Sequence, residues 1–223
     1  MTADVAIGTA IVSYIEPAPG HAAAFNRWYE RDHFPATVLA GPGVFAGARF
    51  VATRACKALR PAGTLFGDPA RGSYLAVAWV LPGKQAEWDA WVAREMEVIA
   101  AAGRLFPHRE HVHTAIYRCA WTEGDAITVL ARRPAGVVVV GREGAVGPVA
   151  GGLEGAGVQV GLVAERTILS AADPPAHTLV LTFTDSDPRD VYADTFADAF
   201  AGAGFASPFL AVVPGTDTYA DEC

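Results

Sequence analysis

The chain is short of lysine and of cysteine. Lys57 and Lys84 are the only lysines in 223 residues, the arginines are scattered, and the net charge is −7. No basic stripe exists to neutralise phosphates, which argues against a nucleic-acid partner. The three cysteines, Cys56, Cys119 and Cys223, are widely spaced and form no Cys-x-x-Cys pair. That excludes a disulfide framework or a zinc ribbon and leads us to expect free thiols in a cytoplasmic protein. Long apolar runs are missing too. The opening "MTADVAIGTAIVSYIEP" has no basic segment or cleavage site and is too short to span a bilayer, so no membrane partner is expected. The glycine-rich "GREGAVGPVAGGLEGAG" carries no Gly-Lys-Ser/Thr and no dinucleotide frame. Gly-x-Ser-x-Gly, zincin and Cys-x-x-Cys-His signatures are also absent, and no organic cofactor is expected.

What the chain does have is apolar: 52% of residues are hydrophobic and 18% charged, enough to bury a sizeable core. "DVAIGTAIVSYI" reads as a strand closed by "EPAPG". Ala24, Phe25, Trp28 and Tyr29 recur at helical spacing, and Pro35 is expected to kink or break that helix just after His33. "VFAGARFVATRAC" alternates as a strand, "SYLAVAWVL" reads as a buried strand, and "KQAEWDAWVAREMEVIAAAG" as an amphipathic helix with Gly103 at its C-terminal left-handed position. "EHVHTAIYRCAW" completes a β-α-β-β-α-β order, the ferredoxin-like unit.

The second half repeats the order weakly. "GVVVVGRE", "VQVGLVAERTIL", "HTLVLTFTD" and "SPFLAVVPGTDTY" read as strands, and "SDPRDVYADTFADAFAGAG" as a helix capped by Ser186 or Asp187. The glycine-rich segment stands where the other helix belongs and reads as a stunted helix or loop. We therefore expect an α+β fold: two tandem ferredoxin-like halves, residues 1–124 and 125–223, the second degenerate, closing into an α+β barrel around an inner cavity. The oligomeric expectation is a monomer with an internal pseudo-dimer, or a homodimer.

The stretch "FNRWYERDHFPATVLAGPGVFAGARF" concentrates chemistry. Tyr29 and His33 lie four apart on one helical face. Histidine is the side chain best suited to exchange protons near neutral pH. The alternative is that the aromatics pack on the sheet while His33 caps its own helix. This stretch resembles that of dimeric α+β barrel proteins of the EthD-like (ethyl tert-butyl ether degradation) type. In those, an aromatic-rich first helix ends in Tyr/Trp-x-x-x-His-x-Pro, followed by Pro-Gly and an arginine in the next strand. The match covers Trp28, Tyr29, His33, Pro35, Pro42-Gly43 and Arg49. The resemblance implies a pocket between the sheet and the first helix, with His33 pointing into it. Relatives of that type include polyketide cyclases, lactone isomerases, cofactor-free monooxygenases and haem-handling enzymes.

The last strand of the first half adds candidates. Strict alternation places His111, His113, Ala115, Tyr117, Cys119 and Trp121 on one face, presenting His113 and Tyr117 to the same space as His33. His108 and His111 read as residues of a solvated loop. His111 and His113, two apart on a strand, can ligate one ion with His33 or Asp32, but no fixed carboxylate partner is near in sequence and no metal is expected. The expectation is a small enzyme acting on a hydrophobic or aromatic carbonyl compound by isomerisation, cyclisation or elimination. His33, Tyr29 and Arg49 are the expected catalytic residues, and Trp28, Phe34, Trp79, His113 and Tyr117 the substrate-binding ones. A non-catalytic binding barrel and a haem- or metal-dependent oxidoreductase are the alternatives.

Overall fold

The structure, a computed structural model, describes residues 6–63, 65–144, 147–148, 158–171, 173–195 and 202–223. The described chain runs β1 (Thr9–Pro17), α1 (Ala22–Trp28), a π-helix (Tyr29–Leu39), β2 (Val44–Val51), α2 (Arg54–Ala58), β3 (Tyr74–Val80), α3 (Gln85–Ala101) and β4 (Arg109–Glu123). It continues with α4 (Ala126–Ala131), β5 (Gly136–Glu143), β6 (Val158–Ser170), β7 (His177–Thr184), α5 (Pro188–Thr195) and β8 (Phe205–Ala211).

The eight strands close into one barrel in the order β1-β3-β2-β8-β5-β7-β6-β4, every neighbour antiparallel. Each half contributes its strands in the same spatial order: fourth, first, third, second. The seams are unequal. β4 and β6 pair from His113–Ser170 to Glu123–Gln159, whereas β2 and β8 share only Phe50–Ala211 and Val51–Leu210. The glycine-rich segment between β5 and β6 falls largely outside the described residues, so the expected stunted helix is not part of this description.

Alternation explains the two packing layers. On the inner side, Val12, Tyr14, Phe50, Leu75, Val77, Trp79, Tyr117, Phe183 and Phe209 belong to a single buried cluster. Each large apolar side chain so buried contributes roughly 2–3 kcal/mol. Among the described residues these side chains, most of them aromatic, occupy the barrel interior where the sequence led us to expect an inner cavity. On the outer side, Ile11, Ala78, Val80 and Ile116 meet Trp88 of α3, with Val38 of the π-helix packed beside them. The outer face of the second half packs Val138, Val140 and Val180 against Tyr192 of α5. Asp187 caps α5, accepting from the Arg189 amide at 2.9 Å.

Two local expectations need correction. The segment "TRAC" does not continue β2: Thr53 accepts from the Cys56 amide and starts the short helix α2. Pro35 does not break the first helix either. The helix continues as a π-helix, with the Ala40 amide reaching the Pro35 carbonyl at 3.0 Å. A proline in α winding lacks an N–H and drives its ring against the carbonyl four residues earlier. The wider π turn moves that carbonyl aside, so the chain keeps winding past the proline.

Candidate functional site

The π-helix sets His33 in mid-element rather than at a helix end. It is 9% exposed, and the Trp28 indole stacks on its ring at 4.6 Å between centroids and 20° between planes. Tyr29 meets the same ring edge-on at 5.1 Å. Thr37 fixes the tautomer. Its hydroxyl lies 2.5 Å from the His33 carbonyl, which can only accept, so the Thr37 proton goes there. The Thr37 oxygen, 3.1 Å from Nδ1, is then the acceptor, and the imidazole carries its proton on Nδ1. Nε2 is left as a free base. Burial, with help from the charges of Arg109 and His111, pushes the His33 pKa down to about 4, so the ring is neutral at pH 7.

His33 lines a groove of about 340 Å³ between the π-helix, α3 and the outer faces of β1, β4 and β6. Ile11, Val38, Trp88, Val92, Met96 and Ile168 make most of it apolar. Its polar members include Tyr29, Arg109 and His111, together with Asp89 and Arg166, which pair at 2.5 Å. Burial raises the Tyr29 pKa to about 12, so its phenol keeps its proton. Arg109 lies over the Trp28 ring at 4.8 Å, and its buried Nε has no hydrogen-bond partner. His111 has Nδ1 2.9 Å from the Thr114 hydroxyl, and burial lowers its pKa to about 4.

The remaining expected site residues are scattered. Phe34 and Arg49 line a second groove of about 300 Å³ with Pro35, Leu39 and Val212. Arg49 sits under Tyr29, its guanidinium 5.0 Å from the ring centroid, and binds Asn26 Oδ1 at 2.8 Å and Glu30 at 3.6 Å. Trp79, His113 and Tyr117 are inside the barrel, 0%, 1% and 0% exposed, and none of them lines the His33 groove.

The separation of His111 from His113 has a specific cause. Along β4 and β1, Tyr14 pairs with His113 but Ile15 pairs with His111, so Val112 is an extra residue in the ladder. Such a bulge resets the alternation. His111 therefore joins Thr114 on the outer face while His113 stays inside, and the two cannot share a metal as the regular pattern allowed. Among the described residues, no three His, Cys, Asp or Glu side chains converge. His111 and Arg109 are the groove residues that the sequence reading passed over. His108, by contrast, stacks on His21 at 4.0 Å, away from the groove.

No family model matches the chain, and no curated protein matches it in sequence. Solved structures do resemble it. An anthrone oxidase-like protein superposes with a TM-score of 0.54 at 10% identity, covering 93% of this chain and 92% of that one. A candidate monooxygenase from Fusobacterium nucleatum subsp. nucleatum gives 0.54 at 10% identity over 93% and 94%. The likeness gives the fold of this chain. No helix among the described residues is long and apolar enough to cross a membrane.

Proposed function

We propose that the His33 groove is the active site of a cofactor-independent enzyme that removes a proton from a fused-ring aromatic ketone or its enol. This reading takes the chain as EthD-like, with residues 1–124 carrying the reacting side chains and 125–223 closing the barrel and adding Arg166 and Ile168 to the groove wall. It rests above all on one observation: Thr37 holds the His33 proton on Nδ1, so a neutral imidazole offers a bare Nε2 inside an apolar groove. A positioned base of this kind accelerates proton transfer by about 10²–10⁴-fold.

The other groove residues take roles their chemistry allows. Arg109 brings a partly desolvated cation with an unpartnered Nε to the enolate oxygen that develops as the proton leaves. The protonated Tyr29 phenol donates a hydrogen bond to the substrate, and His111 does so from Nε2 when Thr114 donates to its Nδ1. Arg49 acts through Tyr29, which it underlies, rather than on the substrate. Trp28 holds the imidazole flat and dry.

The names of the two neighbours favour oxidation over isomerisation as the fate of the anion. In that course the substrate CH₂ loses a proton to His33, and the carbanion adds to molecular oxygen. The peroxide anion recovers the proton from the imidazolium, and loss of water from the hydroperoxide leaves a new carbonyl. Dioxygen is the oxidant and no other electron donor is needed. Return of the proton to a different carbon would make the same site an isomerase.

The test is to supply anthrone and follow quinone formation together with oxygen uptake. Wild type should couple the two one to one, and His33→Ala should lose at least about 100-fold in rate while remaining folded. Equal turnover by the folded His33→Ala variant removes the assignment. Substrate isomerised without oxygen uptake selects the isomerase reading.

A further inference from the structure

A second cluster of histidines lies inside the barrel, apart from the groove and unused by the proposed reaction. Tyr117 Oη is 2.8 Å from His113 Nε2 and 2.6 Å from His177 Nε2, and all three residues are at most 3% exposed. The protons can be counted from the outside inwards. His177 Nδ1 is 2.7 Å from the Pro175 carbonyl, which only accepts, so the His177 proton is on Nδ1 and its Nε2 is bare. Ser170 Oγ is 2.7 Å from the Leu169 carbonyl and donates to it. That makes Ser170 the acceptor for His113 Nδ1 at 2.9 Å, and the Thr114 amide reaches the same oxygen at 3.4 Å. His113 is therefore protonated on Nδ1, with its Nε2 bare as well.

Two bare imidazole nitrogens thus converge on one phenol that has a single proton to give. One nitrogen lone pair faces oxygen lone pairs at hydrogen-bond distance with nothing between them. Such a deficit is relieved by a cation. We propose that His113 Nε2, His177 Nε2 and Tyr117 Oη form a binding site for one divalent first-row transition ion of the zinc and copper type.

The donor set suits that class: two neutral imidazoles and a phenolate, with a fourth position for solvent. Each imidazole is already oriented by a partner on its far nitrogen, the arrangement that metal-binding histidines share. Metal–nitrogen bonds of about 2.0 Å place neighbouring donors roughly 3.3 Å apart, so the present contacts would open by about half an ångström or a little more. The balance is simple: the ion replaces the phenolic proton, and one proton leaves for each ion bound. Phe66 covers the cluster in a left-handed backbone conformation, φ 63°, its ring 4.6 Å from His113 and 5.4 Å from His177.

The experiment titrates the full-length, chelator-treated protein with Zn²⁺ while counting metal and protons, and repeats it with Cu²⁺ while recording the visible spectrum. The expected result is one ion and one proton released per chain, a raised Tm, and a phenolate-to-copper charge-transfer band. Tyr117→Phe should fold, lose the band and the proton release, and bind more weakly. His113→Gln and His177→Gln should each lower affinity at least about 100-fold, and Ser170→Ala about 10- to 100-fold. His21→Ala should leave metal binding and proton release unchanged. Absence of stoichiometric binding by wild type would show that the Ser170 proton turns to His113 and that the cluster is only a buried relay. Binding that survives loss of His113 and His177, or that disappears with His21, overturns the proposal equally.

Discussion

Thr37 accepts a hydrogen bond from His33 Nδ1–H and donates its own to the His33 carbonyl, so one hydroxyl fixes both the tautomer and the place of the imidazole in the helix. The spacing of four residues that permits this is ordinary in a helix. Its effect is that the base is set before any substrate arrives.

Thr37→Val keeps the shape of the side chain and removes the acceptor. Nitrogen-15 spectra of labelled histidine should show a pure Nδ1–H tautomer for His33 in the native protein and a mixture in the variant. Turnover should fall by roughly tenfold, the equivalent of one hydrogen bond of about 1.4 kcal/mol.

Trp28 is the main lid over His33. Trp28→Ala admits water and lowers the cost of charging the ring, so its pKa should climb from about 4 towards the usual 6.5. An NMR titration reads this directly. A value unchanged by the substitution would mean that Arg109 and His111, rather than burial, hold the pKa down.

The same shift sets the pH dependence of the reaction. A base that protonates only near pH 4 keeps kcat/KM flat from pH 7 down to about 5, and the fall comes below that. An acid limb centred on 6.5 would point to an unburied histidine.

Stability should respond to acid in the opposite region of the titration. His33 and His113 have folded-state pKa values of about 4 and about 3, below the unfolded 6.5. Above 6.5 both states are neutral and stability is complete. As pH drops through 6.5 the unfolded chain binds protons that the folded chain refuses, so stability declines until the folded pKa is reached. At pH 5 each of the two should cost roughly 2 kcal/mol. Urea unfolding at pH 7.5 and 5.0 measures the difference, which should shrink in His113→Gln.

Gly136 tests the seam between β5 and β8. A β-carbon there would sit 2.4 Å from the Phe209 carbonyl oxygen and 2.5 Å from Pro188 Cγ. The first is backbone and cannot step aside, so Gly136→Ala should cost about 1–3 kcal/mol and lower the Tm by several degrees. An unchanged Tm would show that β5 and β8 can separate freely.

Much of the fold is legible from the sequence because it follows from periodicity. The helix from Gln85 and the strands from Tyr74, Gly136 and His177 fall where alternation and helical spacing put them. Two features escape that arithmetic for identifiable reasons. The π winding through Pro35 depends on a carbonyl displacement that no residue type announces. The bulge at Val112 inverts the facing of His111 relative to His113, and nothing in "EHVHTAIYRC" distinguishes it from a regular strand.

The sequence alone settled that this is an α+β chain with strands to bury, no charge pattern for nucleic acid, and a helix crowded with Trp28, Tyr29 and His33, since composition and spacing are local properties. Tertiary structure decided the rest. Barrel closure brought His177, sixty residues away, to Tyr117, and filled the interior with aromatic rings. A single extra residue in a ladder then turned His111 to the outer face beside His33 and left His113 inside, because the facing of a strand residue is fixed by the partner it pairs with and not by its neighbours in the chain.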